Sequence, residues 1–536
     1  MLKILFITIS DCISIKYDNK ITMPKLQKDK LVSLINSLTK AEKRSFRLYV
    51  NRNASTSDSL FVQLFDLIAK QKIIEEEKVL KKIPALKKSQ ISNLKANLFK
   101  QILTCLRLIE RSKYEEIQIR EQIDFAKILY ERGMYKSCLD ILDKAKRQAF
   151  DIDYETLSLS ILYFEKRIES QHVTGSMASK ADELSTQSSE TLKEIALTNQ
   201  LSNASLLLYG EYLRHGYTKS KEDYERVINL FNKLIPNHNV SDLKFYQKLY
   251  LFQSYVWFYN MTQDFPNYYK YAFKWVELFH KNKSMRFSAI SQYVKGVHNL
   301  LNAIFMTGRR LRFNDAYSKF LDFDILTKPH LSQNDLSMYY LIKYVHLLNG
   351  IFLNAEYSSD VSPLKELEKV LIDNTYGWDP HRILIFNHKL GCVYFGRGDL
   401  DKCIFYLNKI ANNNIPEFRT DIQSFSKILN LIAHFDLGNE ELVSYQIKSL
   451  YRFLSKLKEL QKVQLEIIKF LRKTTTMQAS KMNEEFKLLK DKLIEIEKED
   501  FEKRPFLYLD IISWLESKIQ GKSMKEIIQS KLAING

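Results

Sequence analysis

The chain has 536 residues, 45% of them hydrophobic, and a formal net charge of +18. This hydrophobic share excludes disorder over most of the length, and 14 glycines with 9 prolines are too few for the many turns of a sheet-rich fold. Composition therefore predicts a mainly helical protein of roughly one to three packed units.

The first residues and the cysteines bear on the cellular compartment. Residues 4–9, ILFITI, form an apolar run that is too short for a secretory signal, and no later segment reaches the roughly 18 apolar residues of a membrane span. The five cysteines include no C-x-x-C pair, which fits a reducing environment. We therefore expect a cytoplasmic protein. Residues 1–22 are interpreted as a leader, and Met1 and Met23 both stay open as the start.

Residues 23–115 are predicted to form a small helical unit. Thr39 and Glu42 have the T-x-x-E spacing of a capping box, in which two side chains satisfy free backbone N–H groups at a helix start. The predicted helices of this unit cover residues 40–51, 59–72, 74–82 and a long stretch from Ser89. The last of them has apolar residues at three- and four-residue steps, which are Ile91, Leu94, Leu98, Ile102, Cys105 and Ile109.

The excess of positive charge lies mainly in this unit. Residues 1–120 carry 24 Lys and Arg against 12 Asp and Glu, whereas the rest of the chain carries 57 against 51. The candidate contact patch consists of Lys40, Lys43, Arg44, Arg47, Lys81, Lys82, Lys87 and Lys88. Three interpretations stay open: a solvated surface, a surface for an acidic protein partner, and a surface that binds nucleic-acid phosphates with strong salt dependence.

Glycines mark the turns of predicted helix pairs in residues 116–475. Gly133 interrupts a helical pattern, and because glycine is unfavourable inside a helix, it predicts a turn between two helices. The arrangement recurs at Gly398 and more weakly at Gly438. The residues assigned to these turns and to packing within the pairs are Gly133, Tyr135, Cys138, Ala145, Gly391, Tyr394, Gly398, Cys403 and Gly438.

These stretches resemble the tetratricopeptide repeat, in which a glycine turn joins two helices that pack through small and large apolar residues. Cys138 stands where that family prefers alanine, and the family's tryptophan is absent. The opening SLTKAEKRSFRLYVNR, followed by LFVQLFDLIAKQKIIEEEKVLKKI, is similar to uncharacterised helical-repeat proteins of Bacteroidota. The resemblance implies an all-α fold, an α-solenoid of irregular antiparallel helix pairs preceded by the basic unit, with a concave surface that binds a protein or peptide.

The middle of the chain carries little repeat signature but still indicates helix pairs. The predicted pairs are 195–214 with 221–234, 245–261 with 266–281, 286–307 with 313–324, and 335–353 with 362–372. The polar stretch 176–191 is interpreted as a linker. The aromatic residues of 249–279 are assigned to packing between repeats, with an exposed groove that stacks bases or binds a peptide as the alternative.

Residues 476–536 are predicted to be C-terminal capping helices. Long amphipathic helices are predicted over 443–471 and 482–500, and a further helix from Pro505 to Gly521. Ser523 and Glu526 have the spacing of a second capping box, which predicts the start of a last helix.

Motifs that carry chemistry are missing from the sequence. It has no phosphate-binding glycine loop and no H-E-x-x-H, and its nearest histidine pair, His381 and His388, is too far apart on a helix to share an ion. Cys138 and Cys403 are interpreted as core residues, and the R-G-D at 397–399 as a turn. We therefore predict no cofactor, no metal and no enzyme, but a scaffold or adaptor that binds a protein or peptide. The alternative is a nucleic-acid-associated regulator. The oligomeric state stays open.

Overall fold

In a computed structural model of the chain, the sequence folds into helices joined by short turns, and no strand occurs in the residues described below. The described residues are 29–52, 58–70, 76–111, 114–171, 177–236, 239–322, 331–357, 361–411, 420–457, 461–474, 477–499, 501–507 and 510–535. The all-α prediction is therefore confirmed for this part of the chain. By internal contacts the chain divides into two compact units, with the boundary between Ala196 and Leu197.

The first unit begins with a small core of five helices. They are α1 (Lys30–Ser37), α2 (Lys40–Arg52), α3 (Asp58–Lys70), α4 (Glu76–Lys82) and α5 (Ile91–Glu110). The predicted capping box at the start of α2 is confirmed, because the backbone N–H of Glu42 donates to the Thr39 hydroxyl over 3.2 Å and that of Thr39 donates to the Glu42 carboxylate over 2.7 Å. Ile91, Leu98, Ile102 and Cys105 of α5 are buried in this core, as their spacing predicts.

Three further helices of the first unit form a second core. They are α6 (Glu115–Glu131), α7 (Tyr135–Asp151) and α8 (Glu155–Gln171), and each packs on the next. Gly133 stands at the turn between α6 and α7 with a φ of +72°, a backbone conformation that glycine adopts without strain. Between α7 and α8, a buried Lys146 donates to both carboxylate oxygens of Glu165 over 3.0 and 2.8 Å.

The next helix corrects one prediction. Residues 177–191, which the sequence analysis interpreted as a linker, belong to α9 (Met177–His215). Although this stretch is mainly polar, one face of it points inward, since Leu184, Ser188 and Thr191 are buried at helical spacing. The Thr191 hydroxyl also donates to a backbone carbonyl of the preceding turn, so its polar group is satisfied inside the helix.

The second unit is an array of consecutive helices. Its first members are α10 (Lys221–Leu234), α11 (Phe245–Met261), α12 (Phe265–Lys281), α13 (Met285–Ser288), α14 (Ile290–Met306), α15 (Arg310–Leu321), α16 (Gln333–Asn354) and α17 (Ser362–Asp373). The array continues with α18 (Pro380–Arg397), α19 (Leu400–Ala411), α20 (Thr420–Asp436) and α21 (Glu440–Leu457). Adjacent helices pack as pairs, most extensively α11 with α12 and α18 with α19.

Four helices complete the second unit: α22 (Lys462–Thr474), α23 (Met482–Lys498), α24 (Ile511–Gln520) and α25 (Met524–Asn535). The capping box at Ser523 and Glu526 is confirmed, with the Glu526 N–H 3.3 Å from the Ser523 hydroxyl and the Ser523 N–H 2.8 Å from the Glu526 carboxylate. Three boundary predictions are wrong. The predicted helix 286–307 is divided into α13 and α14, the predicted helix 443–471 into α21 and α22, and the predicted helix from Pro505 starts only at Ile511.

The start of α24 shows why the last of these predictions failed. Asp510 accepts a hydrogen bond from the backbone N–H of Ser513 over 3.1 Å, so it caps the helix five residues after the proline. Proline is compatible with a first helical turn but does not require one, and here Arg504–Leu507 form only a 3₁₀ turn. The helix ends at Gly521, with a φ of +66°.

The central helices of the array are buried over long stretches. Residues 296–305 of α14 and 384–396 of α18 are all buried, and half of the residues of α16 are buried too. The C-terminal helices contribute to this enclosure, since α25 contacts α18 and the buried Trp514 of α24 lies among Phe435, Phe470 and Phe486. The inner helices of this array therefore expose little of their own surface.

Candidate functional site

Three concavities of the second unit share one construction. Each has the first helix of a pair as its floor and the second helices of two successive pairs as its walls. One lies over α14 between α12 and α15 with a volume of ≈ 890 Å³, a second over α20 between α19 and α21 with ≈ 580 Å³, and a third over α18 between α17 and α19 with ≈ 490 Å³. In the first two of these grooves, both wall helices pack on the floor helix, and a channel stays between them.

The groove over α20 has an unusual lining, and we call it the amide groove. Its polar side chains are the carboxamides of Asn408, Gln423, Asn430 and Gln446, the hydroxyls of Ser426 and Ser449, and the ammonium of Lys427. Its apolar side chains are those of Leu407, Ile410, Ala411, Leu431, Leu450 and Phe453. No carboxylate is among these described lining residues. The groove thus offers donors and acceptors, apolar side chains that lie mainly on its walls, and a single positive charge.

Helical spacing explains why these side chains converge. On α20 the lining positions are 423, 426, 427, 430 and 431, and on α21 they are 446, 449, 450 and 453, so each set follows three- and four-residue steps along one face. The Asn430 amide donates to the Asn408 carbonyl oxygen over 3.1 Å and joins α20 to α19 across the floor. Lys427 is half-buried with its Nζ 5.0 Å from the Phe453 ring centroid, and burial lowers the pKa of its ammonium.

Ser426 connects the amide groove to the core behind it. Its buried hydroxyl lies 2.7 Å from Nδ1 of His388, whose Nε2 lies 3.6 Å from the Sγ of Cys392. A nucleophilic serine uses a histidine base that a third group orients, usually a carboxylate. Here burial raises the pKa of the Cys392 thiol well above its usual value, so that group stays neutral. The geometry therefore suits a fixed residue of the groove floor.

A row of buried polar side chains crosses the three central helices, and we call it the relay. Lys389 of α18 donates to the Asn349 carbonyl oxygen over 2.7 Å, and the Asn349 amide lies 3.2 Å from Nδ1 of His346 on α16. Nε2 of His346 lies 2.9 Å from Nδ1 of His298 on α14, and Nε2 of His298 lies 2.8 Å from the Asn302 amide. All five side chains are buried.

The relay has one consistent direction of hydrogen bonding. Because the Asn349 oxygen accepts from lysine, its amide nitrogen donates to Nδ1 of His346. A neutral His346 then carries its proton on Nε2 and donates to His298, which in turn donates from its own Nε2. The Asn302 amide therefore turns its oxygen, rather than its nitrogen, toward the His298 ring. Each histidine holds one proton and the row is satisfied.

Both relay histidines are neutral at pH 7. Burial, followed by the positive charges of Lys295 and Lys389, lowers the pKa of His298 to about 3. Burial, with the neighbouring His298 and Lys389, lowers the pKa of His346 well below its usual value. The sequence analysis missed this pair because it compared histidines along the chain, whereas His298 and His346 are brought together only by the packing of α14 against α16.

The residues predicted for turns and packing lie in the helix pairs. Gly133, Gly398 and Gly438 all have positive φ, and Cys138, Ala145 and Cys403 are buried. Gly391 of α18 faces α19 so closely that a Cβ there would lie 2.7 Å from Leu407. The Tyr394 ring is stacked on Tyr406 with centroids 5.7 Å apart, while Tyr135 is only partly buried. The assignment of these positions to a tetratricopeptide register stays a prediction.

The predicted basic patch lies on two stretches of the first unit, and one of its members is engaged. Arg47 forms an ion pair with Asp66 of α3 at 2.7 Å and lies over the Phe65 ring. Lys40 and Arg44 of α2 are exposed and Lys43 is half-buried. The other exposed members are Lys81, Lys82, Lys87 and Lys88, at the end of α4 and just before α5. Within the described residues these seven cations form no ion pair.

The aromatic residues of the stretch 249–279 lie mainly in the hydrophobic core. The rings of Phe252, Trp257, Tyr268, Trp275 and Phe279 are all buried, whereas Phe273 is exposed. Tyr255, Tyr259 and Tyr271 are stacked on one another, with centroids 4.1 to 6.0 Å apart. These aromatic residues therefore serve packing between α11 and α12.

The described residues contain neither a cluster of metal ligands nor a helix that could span a membrane. No group of three or more His, Cys, Asp or Glu side chains there is arranged to hold a metal ion. Among the same residues, no helix combines the length and the apolar character needed to cross a membrane.

No protein-family model, no curated protein and no solved structure matches this chain. The resemblance to tetratricopeptide repeats therefore stays a prediction from the chain's own residues.

Proposed function

We propose that this protein is a non-catalytic scaffold that binds segments of partner proteins in the grooves between its helix pairs. The observation that carries this proposal is the lining of the amide groove, which combines hydrogen-bond donors and acceptors with apolar side chains of its wall helices. Such a lining suits a polar chain with apolar side groups, as a polypeptide is.

The burial of the central helices directs the proposal to the outer grooves. The resemblance to tetratricopeptide repeats implies binding on a concave surface. Since α14 and α18 are enclosed over long stretches, a partner reaches these helices only where they form the floor of a groove. The proposed binding surface therefore lies between the second helices.

A pull-down from native cytosol tests the proposal. The full chain is used as bait with and without nuclease, and captured proteins are quantified against a bait of equal charge and size. We expect stoichiometric capture of a protein that survives nuclease treatment. Turnover of a small substrate by the purified chain, or capture that disappears with nuclease, would contradict a protein scaffold.

A second candidate function is nucleic-acid binding by the first unit. It is favoured by one observation, the seven patch cations that form no ion pair within the described residues. Cations that neutralise phosphates make the logarithm of the affinity fall linearly with that of the salt concentration. The full chain and a Lys40→Gln/Arg44→Gln variant are compared for binding of labelled DNA over a salt series. A smaller dependence of the affinity on salt in the variant would support this candidate. An equal dependence would exclude the patch as the surface that binds phosphates.

A further inference from the structure

We infer that the amide groove binds an extended segment of a partner protein that carries an acidic side chain, with its backbone on the carboxamides and its carboxylate on Lys427. This inference rests on the proposed scaffold function and names the site and the chemistry of the partner.

The carboxamides provide the match to a peptide backbone. An extended segment presents N–H donors and C=O acceptors, and each loses free energy if it is removed from water without a partner. A carboxamide has both a donor and an acceptor, and carboxamides line this groove from all three of its helices, with Asn408 on α19, Asn430 on α20 and Gln446 on α21. The hydrogen bond from Asn430 to Asn408 uses one amide hydrogen and one lone pair of these two side chains, so further donors and acceptors remain for the backbone of a ligand. A purely anionic ligand would use only the donors.

The charge of the groove lining favours an acidic side chain on the bound segment. Lys427 is the single charged residue among the described lining positions, so an entering carboxylate meets attraction and no repulsion from the walls. The ammonium is half-buried and in contact with Phe453, which weakens its hydration and favours an ion pair with a ligand. An acidic side chain of the ligand therefore gains more binding free energy in this groove than a neutral or basic one.

The groove over α14 shows by contrast why this lining is selective. It is larger, but Arg286, Arg312 and Lys319 in its walls are mixed with Glu277, Asp315 and Asp322. Lys319 is already paired with Asp315 at 2.8 Å, and Glu277 with Lys281 at 3.0 Å. A groove with balanced charges gives no preference for the sign of the ligand's charge.

The volume suits a short segment. At ≈ 580 Å³ the amide groove falls within the range of roughly 300 to 1,000 Å³ that is usual for pockets that take small ligands. A few extended residues fill such a space, whereas a folded domain does not enter it.

The test uses the full chain and a library of random eight-residue peptides displayed on phage. Selected peptides are sequenced, the leading one is synthesised with a fluorescent label, and its Kd is measured by anisotropy. We expect an Asp or Glu at one fixed position in the selected peptides. A matching peptide with that residue changed to Asn or Gln should bind about tenfold more weakly, which is the loss typical of one charge-assisted hydrogen bond.

Two variants locate the site. Ser449→Tyr places a ring in the groove, whereas Ser444→Tyr adds the same ring to an exposed position of α21 outside the groove. We expect Ser449→Tyr to weaken binding at least about tenfold and Ser444→Tyr to leave it unchanged. Lys427→Met keeps the length and apolar stem, so it should remove the preference for the acidic peptide over its neutral counterpart while the helical circular dichroism spectrum stays the same.

The outcomes separate the inference from the function on which it rests. Selected peptides without a fixed acidic residue, or binding equally weakened by both tyrosine variants, would overturn the assignment to this groove. If the pull-down nevertheless captures a protein, the scaffold proposal stands and a different groove is used. If neither peptide nor protein binds, both proposals fail.

Discussion

At the scale of single residues, the clearest packing constraint is at Gly391, where the absence of a side chain leaves room for a neighbouring residue. Gly391 lies inside α18, where glycine is normally unfavourable by roughly 1 kcal/mol relative to alanine. Its presence is explained by Leu407, which is buried and would lie 2.7 Å from an added Cβ. The sequence analysis placed Gly391 at a packing position of a helix pair, but only the structure identifies the side chain that it accommodates.

A matched pair of substitutions tests this constraint. Gly210 of α9 is also a helix-interior glycine, and a Cβ there meets only the end of Arg214 at 3.9 Å. We expect Gly210→Ala to raise the urea midpoint by improving helix propensity, and Gly391→Ala to lower the free energy of unfolding by about 1 to 3 kcal/mol through overpacking. Equal shifts of the two midpoints would show that Leu407 moves aside freely.

At the scale of helices, the prediction from sequence worked where the determining interactions are local. The capping boxes at Thr39 and Ser523 are formed by residues three apart, and their spacing alone predicts the helix starts. The linker prediction for 176–191 failed because a polar composition says little when a few inward residues, such as Leu184, hold the helix in place.

The candidate site could not be predicted in the same way. Ser426 and His388 lie on different helices, as do His298 and His346, and nothing in the local sequence of either partner indicates the other. The lining of the amide groove likewise needs the placement of three helices.

The relay joins α14, α16 and α18, and it predicts how stability depends on pH. Since both histidines are neutral in the folded state while an unfolded histidine has a pKa near 6.5, the unfolded state binds more protons below that pH. Above pH 6.5 the two histidines therefore do not reduce the free energy of unfolding. On acidification towards pH 3 the free energy of unfolding falls, by up to about 1.4 kcal/mol per pH unit for each histidine.

This pH dependence is measured by urea unfolding at pH 7.0, 6.0 and 5.0. A His298→Leu/His346→Leu variant should lose less stability between these values than the unmodified chain, whatever its stability at pH 7. His215→Gln, at a histidine whose side chain is 55% exposed, should leave the slope unchanged. If the slope of the double variant equals that of the unmodified chain, the relay histidines are not neutral as described.

At the scale of the whole second unit, the C-terminal helices fold back on the beginning of the array. Arg504 is buried, donates from Nη1 to the Asn260 backbone carbonyl over 3.1 Å at the end of α11, and lies over the Tyr217 ring at 4.6 Å. The Tyr217 hydroxyl accepts from Gln461 over 2.9 Å. A short way along the chain from Arg504, Trp514 donates to Asp436 at the end of α20 over 3.1 Å. One C-terminal segment thus links the first and last helix pairs of the array.

Such a link predicts that Arg504 stabilises helices far from it in sequence. Arg504→Ala should remove a buried charge-assisted hydrogen bond and leave the Asn260 carbonyl without this donor, which together amount to about 2 to 4 kcal/mol. Because Lys503 is exposed beside it, Lys503→Ala serves as the control and should change the unfolding midpoint little. Hydrogen exchange decides between a local and a distant effect: the amides at the end of α11 should exchange faster in Arg504→Ala than in Lys503→Ala. If faster exchange is confined to residues near 504, the C-terminal segment only covers the array and does not hold its two ends together.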